Sequence, residues 1–375
     1  MERSFMRIAI LTSSRADYGI YKPLIRALAG DSYFHLSIIA FGTHLSPYHG
    51  HTVDEIINDG FQVDYKINSL LLTDDENSLS TSIGLTTIKF ADFWENNSNK
   101  FDWVFCLGDR FEMFAAVMAG LPYGVRFAHI HGGETTLGAI DNVFRHSITL
   151  ASKLHFVATE AFADKVKALI DEDDNIVVSG ALSLDNLADI KLLSRDEFLN
   201  KWNIDLAIPS ILITIHPETV NAAQNHLYIE EVISALNELK DNYQLIITMP
   251  NTDTYGSVYR NAFKELEKND PDKIKLIENF GIQSYFTCMK EARLMLGNTS
   301  SGIIEAASFH KYVINIGDRQ KGRLAGNNVL NVPYNRVAII NCVKLVESLK
   351  EEQSTNIYYN GGAVDQIIKK LKSIS

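Results

Sequence analysis

At 375 residues the chain exceeds the roughly 250–300 residues at which single cores stop growing, so two domains are expected. Its 46% hydrophobic and 22% charged residues sit near globular averages, which excludes a largely disordered chain and a coiled coil. The net charge of −11 excludes a cationic coat for nucleic acid or an anionic membrane, though not a local basic pocket for a small anion. Three scattered cysteines, Cys106, Cys288 and Cys342, suggest neither a disulfide framework nor a zinc knuckle. The first apolar run, 8–11, is too short for a secretory signal, and no stretch approaches the roughly 20 apolar residues of a membrane helix. A soluble, cytoplasmic protein is the expectation.

Along the chain, short apolar runs predict strands at 7–14, 35–42, 103–109, 126–133, 154–160 and 176–181, then at 211–217, 244–250, 274–279, 294–299 and 312–317. Several are apolar without alternation, as in Ile211-Leu212-Ile213-Thr214-Ile215, which is how strands covered on both faces read. The segments between carry helical spacing: Leu24, Ile25 and Leu28 follow Pro23, and 227–239 repeats apolar residues every three or four positions. Alternating strands and helices predict an α/β chain of two doubly wound, Rossmann-like domains. The strand pattern breaks at 179–194, so the domains are expected at 1–182 and 183–361, with a last helical segment, 362–375, free to pack on either.

In such sheets ligands sit beyond the carboxyl ends of the strands, and the residues there are unusually specific. Asp109 and Arg110 follow one predicted strand, Glu134 follows a second through two glycines, and Asp141 precedes a helix. Three carboxylates on one edge suit acid/base chemistry, although Arg110 pairing with Asp109 is the plain structural alternative. Arg15 follows the first strand and suits a diphosphate, while Asp17 suits a helix cap. Gly297-Asn298-Thr299-Ser300-Ser301-Gly302 precedes a helix; its hydroxyls and N–H groups suit either a phosphate or an N-cap, and Glu305 one turn on could accept from ligand hydroxyls. Gly317-Asp318-Arg319-Gln320-Lys321-Gly322-Arg323 nearly matches a P-loop, but lacks its lysine and magnesium-binding hydroxyl. A cationic loop remains. His129 and His131 share a strand face, yet no further metal-ligand pattern accompanies them. His216 ends the first strand of the second half, where it suits a phosphate or sugar contact. No G-x-G-x-x-G or G-x-S-x-G occurs.

Taken together, Ser14-Arg15-Ala16-Asp17-Tyr18-Gly19, Leu107-Gly108-Asp109-Arg110, His129-Ile130-His131-Gly132-Gly133-Glu134, Arg145-His146-Ser147-Ile148-Thr149, His216-Pro217-Glu218-Thr219, Gly297-Asn298-Thr299-Ser300-Ser301-Gly302 and Asn315-Ile316-Gly317-Asp318-Arg319-Gln320-Lys321-Gly322-Arg323 resemble the hydrolysing UDP-N-acetylglucosamine 2-epimerases of bacterial sialic acid synthesis. The resemblance covers nearly the whole chain. It implies a fold like the B-type glycosyltransferases (GT-B), with a cleft between domains and UDP held mainly by the second. It implies conversion of UDP-N-acetylglucosamine and water to N-acetylmannosamine and UDP, by anti elimination to 2-acetamidoglucal and then hydration, supplying sialic acid for surface polysaccharide. By resemblance, Asp109, Glu134 and Asp141 fill the acid/base places, His216 joins the catalytic set, and Arg15, His216 and Arg319 hold the diphosphate with Thr299 and Ser300. Arg110 belongs to the substrate-binding set, Glu305 binds the ribose, and Asn251 lies near uracil or phosphate. No metal or other cofactor is expected, and a homodimer or homotetramer is, for which an apolar face on 79–94 is a candidate. The non-hydrolysing branch looks like His-Val-Glu-Ala-Gly-Leu-Arg where this chain has His129 to Glu134, which favours release of free sugar.

Some members of the hydrolysing branch take a 4-acetamido-6-deoxy relative of the substrate, for legionaminic acid; N-acetylglucosamine is the favoured substrate here. A GT-B glycosyltransferase would need an acceptor pocket and has less use for clustered carboxylates. A non-catalytic nucleotide-sugar sensor would not need them intact.

Overall fold

The computed structural model describes residues 5–72, 75–220, 222–250, 255–350, 353 and 355–374. It divides into two compact units. The first comprises Met1–Glu134, Asp141–Asp189 and Tyr358–Ser375; the second comprises Thr135–Ile140 and Ile190–Ile357.

The first unit is built on β1 (Met6–Thr12), β2 (Phe34–Phe41), β3 (Tyr65–Ile67), β4 (Trp103–Leu107), β5 (Phe127–Ile130), β6 (Leu154–Val157) and β7 (Ile176–Val178). They form one sheet in the order β3-β2-β1-β4-β5-β6-β7, parallel throughout. Side chains alternate across a strand, and here both faces are covered. Ile8 and Ile10 enter one core with Tyr21, Leu24 and Leu28 of the helix Arg15–Gly30. Ala9 and Leu11 enter the opposite core with Phe90 and Trp94 of the helix Glu76–Asn97. Double burial is why these strands read as continuous apolar runs.

The second unit carries β8 (Ser210–Thr214), β9 (Gln244–Thr248), β10 (Ile274–Ile277), β11 (Leu294–Gly297), β12 (Val313–Ile316) and β13 (Val329–Val332). Their order is β10-β9-β8-β11-β12-β13, again all parallel. Both sheets reverse direction beside their first strand, the doubly wound topology that puts ligand sites at the strand ends. The chain is therefore α/β with two Rossmann-like sheets. No helix among the described residues is long and apolar enough to cross a membrane.

Three features depart from the sequence expectation. The edge strands β3 and β13 are short and only half-buried, so neither offers the apolar run that marks a central strand. The chain leaves the first unit after Asp189, later than the expected 182: Asn186 donates to the Gly19 carbonyl at 2.9 Å, and the Asp185 carboxylate accepts from the Ala363 and Val364 amides at 3.0 and 2.7 Å. Those bonds also anchor the last helix, Ala363–Ser373, whose Ile367 and Leu371 are fully buried in the first unit's core. The helix Glu76–Asn97 buries Ser78, Ser82, Thr86, Phe90 and Trp94, a stripe at four-residue spacing that faces inward, leaving Ile88 exposed.

Candidate active site

In the first unit the site grows from the ends of β4 and β5, which run side by side with Leu107 opposite Ile130. Gly108 takes φ +71°, a left-handed turn that glycine adopts freely. Asp109 follows, its side chain about one quarter exposed. After β5, His131 takes φ +68° and Gly133 φ +76°. A Cβ at Gly133 would stand 2.3 Å from the Phe162 carbonyl oxygen, so only glycine fits. This bend carries Glu134 inward, where it is 1% exposed.

Both carboxylates meet the guanidinium of Arg145, on the helix Asp141–Ala151. Arg145 is itself 2% exposed. Its Nη2 donates to Asp109 Oδ2, its Nη1 donates to the His131 carbonyl at 3.0 Å, and Nη1 stands 3.6 Å from Glu134 Oε2. The other Glu134 oxygen lies 2.7 Å from His131 Nδ1. A planar fork suits two acceptors at once, and burying Arg145 with Glu134 is tolerable because the opposite charges compensate one another. Asp141 opens the same helix four residues before Arg145, on the same face, and is half-buried.

The plain structural alternative for Arg110 was a pair with Asp109; the carboxylate its guanidinium grips in a two-point contact is a different one, Glu112. Arg110 is the N-cap of the helix Phe111–Gly120, and its guanidinium turns to Glu112, with Nη2–Oε1 at 2.9 Å and Nε–Oε2 at 3.2 Å. Glu112 is fully buried; burial pushes its carboxyl above the usual range, and Arg110 opposes that rise. The histidine pair separates too. His129 places Nε2 2.9 Å from the Gly108 carbonyl and Nδ1 3.1 Å from Thr149 Oγ1, and burial lowers its pKa to about 3. Both ring nitrogens are occupied, whereas the left-handed backbone turns His131 towards Glu134. Among the described residues no group of three metal-ligating side chains gathers.

Arg15 begins the first helix behind Ser14, the N-cap, whose side chain accepts from the Asp17 amide. Asp17 reaches back, accepting from the Ser13 amide at 2.9 Å and hydroxyl at 2.6 Å and from the Ser14 hydroxyl at 3.0 Å. The cap is therefore shared rather than supplied by Asp17 alone. Beside it His44 is fully buried between the Thr12 and Thr52 hydroxyls; burial lowers its pKa to about 4, against the pull of Asp17.

In the second unit the loops after β8, β11 and β12 converge. Fully buried Asn298 accepts from the His216 amide at 2.7 Å and donates to the His216 carbonyl at 2.8 Å and to Tyr334 Oη at 3.0 Å. Gln320 donates to the Asn298 carbonyl at 2.8 Å, and Arg319 Nη1 donates to the Pro217 carbonyl at 2.7 Å. Glu218, 1% exposed, accepts from the Asp318 amide at 2.6 Å; burial raises its pKa and that amide opposes the rise. Gly297, at φ +145°, has room for no Cβ, which would stand 1.9 Å from the Thr214 carbonyl oxygen.

His216 and Arg319 are thus brought to one edge with Thr299 and Ser300. Thr299 is the N-cap of the helix Ser300–Ile304 and accepts from the Ser301 amide. Glu305 closes that turn and is 7% exposed. Thr135–Ile140 joins this edge: the Leu137 amide donates to the Lys321 carbonyl at 3.0 Å, the Ile140 amide to Thr219 Oγ1 at 2.9 Å, and the Val220 amide to the Gly138 carbonyl at 3.4 Å. Asn251 lies outside the described residues. The sequence reading of candidate sites missed Arg145, Glu112, Asn298 and Glu218, which are buried polar groups on helices or turns. Arg145, Glu218 and Asn298 stood within the motifs that carry the family resemblance but had no role assigned, and Glu112 showed only as a charged residue in an apolar pattern.

The chain matches the UDP-N-acetylglucosamine 2-epimerase family over residues 26–372. A Campylobacter jejuni protein named GDP/UDP-N,N'-diacetylbacillosamine 2-epimerase (hydrolyzing) is 36% identical over 329 residues, spanning 88% of this chain and 85% of that protein. A Legionella pneumophila UDP-N,N'-diacetylbacillosamine 2-epimerase (hydrolyzing) is 32% identical over 368 residues, 98% of this chain and 96% of the relative. The solved structure of UDP-GlcNAc 2-epimerase from Neisseria meningitidis, bound to UDP-GlcNAc, is similar with a TM-score of 0.82 at 19% identity, covering 98% of this chain and all of that one. At that identity the likeness speaks for the fold.

Proposed function

The chain belongs to the UDP-N-acetylglucosamine 2-epimerase family, hydrolysing branch, and from that premise we propose that it converts a UDP-activated 2-acetamido sugar and water to UDP and the free 2-epimeric sugar. The observation that carries the proposal is the pair Asp109 and Glu134 converging on buried Arg145 at the ends of adjacent strands. The C2 proton of such a sugar is barely acidic. It leaves as the C1–O bond breaks, so the reaction needs a held base, a held acid and donors on the departing diphosphate. The carboxylates Asp109, Glu134 and Asp141 form the acid/base cluster, whether by moving a proton or by holding the group that does. His216, Arg319, Thr299 and Ser300 on the second unit's strand ends, with Arg15 and Arg110 on the first's, supply diphosphate and sugar contacts, and Glu305 takes the ribose. Elimination of UDP gives a 2-acetamidoglucal, and water then adds with inversion at C2.

The relatives at 36% and 32% identity favour UDP-N,N'-diacetylbacillosamine, the 4-acetamido-6-deoxy substrate. The family's own description favours UDP-N-acetylglucosamine, the substrate preferred on sequence. We take the first as the leading reading, with the product entering legionaminic rather than sialic acid synthesis. Incubating the enzyme with each UDP-sugar in D₂O and following UDP release and the C2 resonance by NMR tests both levels. Deuterium at C2 of a free manno-configured product is expected; product without deuterium would sink the elimination route. Faster turnover of UDP-N-acetylglucosamine would reverse the choice of substrate. Asp109→Asn should keep UDP binding and lose turnover by about 10²–10⁴-fold.

A further inference from the structure

Glu134, for all its burial, is poorly placed to meet a substrate itself. One of its oxygens is taken by His131 Nδ1 at 2.7 Å and the other faces Arg145 at 3.6 Å. The opposite end of the His131 ring is different. Nε2 is buried and has no hydrogen-bond partner, in a residue only 6% exposed. Buried polar atoms are nearly always satisfied, so an orphan imidazole nitrogen needs an explanation. The backbone repeats the point: His131 takes φ +68°, an uncommon left-handed conformation that clusters at functional sites. Its carbonyl and the Asp109 carboxylate bind the same Arg145 guanidinium, which ties the ring to the acid/base cluster.

We infer that His131 is the catalytic base of the first half-reaction and that Glu134 is its positioning residue. An ionised carboxylate only accepts hydrogen bonds, so the bond to Glu134 assigns the ring proton to Nδ1. Nε2 is then left as a lone pair, the arrangement of a histidine base with a carboxylate behind it. This rests on the proposed elimination. Nε2 takes the C2 proton, the C2–H electron pair becomes the C1=C2 bond, and the C1–O bond breaks with its pair leaving on UDP. Glu134 stabilises the imidazolium so formed. Water later adds across the double bond, its oxygen to C1 and a proton to C2 from the other face, and the imidazolium returns its proton to solvent.

His131→Gly tests this, because glycine accepts φ +68° without strain and leaves a ring-sized space. UDP release from the UDP-sugar should fall by about 10²–10⁴-fold while UDP binding stays within a few-fold. Added imidazole should restore it at least tenfold, with substituted imidazoles ranking by basicity. A structural role would show neither rescue nor ranking. A variant that turns over within tenfold of wild type, or one that binds UDP normally yet gains nothing from imidazole, overturns the role of His131 alone. Wild-type protein that releases no UDP from either UDP-sugar overturns the functional reading and the dyad with it.

Discussion

Replacing Arg145 by methionine removes a cation and keeps most of its volume, so the result reports charge compensation rather than packing. The two acids it serves differ in what they can recover. Asp109, a quarter exposed, regains water. Glu134, 1% exposed, keeps His131 at 2.7 Å but loses the guanidinium that stands 3.6 Å from its other oxygen. Breaking a buried pair by removing one partner costs about 3–5 kcal/mol. Because Asp109 rehydrates, the lower end applies, about 3 kcal/mol. For a unit of this size each kcal/mol moves Tm by about 2–4 °C, so a fall of roughly 6–12 °C is expected. Trp94 and Trp103 both lie in the first unit's cores, so urea unfolding followed by tryptophan fluorescence reads mainly that unit. Adding Glu134→Gln to Arg145→Met removes the stranded charge and should recover at least about 1 kcal/mol, the usual size of coupling between contacting groups. If Arg145→Met lies within about 1 kcal/mol of wild type, or the double variant is no more stable than the single one, the compensation argument is wrong.

Other expectations follow from single contacts. Gly138→Ala would place a Cβ 2.4 Å from the Asp318 carbonyl oxygen and 2.6 Å from Arg319 Cα; hydrogen exchange at the Leu137 and Ile140 amides should quicken and UDP affinity should drop, whereas unchanged protection would contradict the docking. Asn298→Ala breaks three hydrogen bonds at a fully buried site and should cost about 2–3 kcal/mol along with at least tenfold in UDP affinity, read by calorimetry. Burial holds His44 and His155 at about 4 and His129 at about 3. Unfolded imidazoles titrate near 6.5, so below that pH the unfolded chain binds more protons. Stability is thus full above about pH 6.5 and falls on acidification, by up to about 1.4 kcal/mol per pH unit for each ring. His155 has no partner on either nitrogen, so His155→Phe should flatten that slope in urea titrations at pH 7 and 5.5, and a slope as steep as wild type would count against it.

The sequence was most transparent where burial was symmetric. β8, with all five residues buried, announces itself by composition, while β3 and β13 at the sheet edges have one side open and no such run. Asp109 and Glu134 were recognisable because strand ends are where doubly wound sheets put chemistry. Arg145 was not, because its meaning depends on a helix that brings residue 145 back to residue 109. The same limit hid the carboxylate that Arg110 does meet: Glu112, two residues on, reads as part of an apolar helix until the fold buries it against the guanidinium. Thr299 shows a different limit. Its capping bond to Ser301 and a phosphate contact use the same few groups, so residue type alone serves both readings.

The short segment Thr135–Ile140 stands between two of the proposed acid/base residues in sequence but not in its packing. It belongs with the second unit, fixed there by its amides and by Gly138 pressed on the 318–319 backbone. Yet it is bonded at one end to Glu134 and at the other to Asp141, the first residue of the helix that carries Arg145. The Arg319 loop on which the segment rests is the one proposed to grip the diphosphate. Thr135–Ile140 is thus continuous in sequence with the residues flanking it and packed, within its own unit, on the loop proposed to grip the diphosphate.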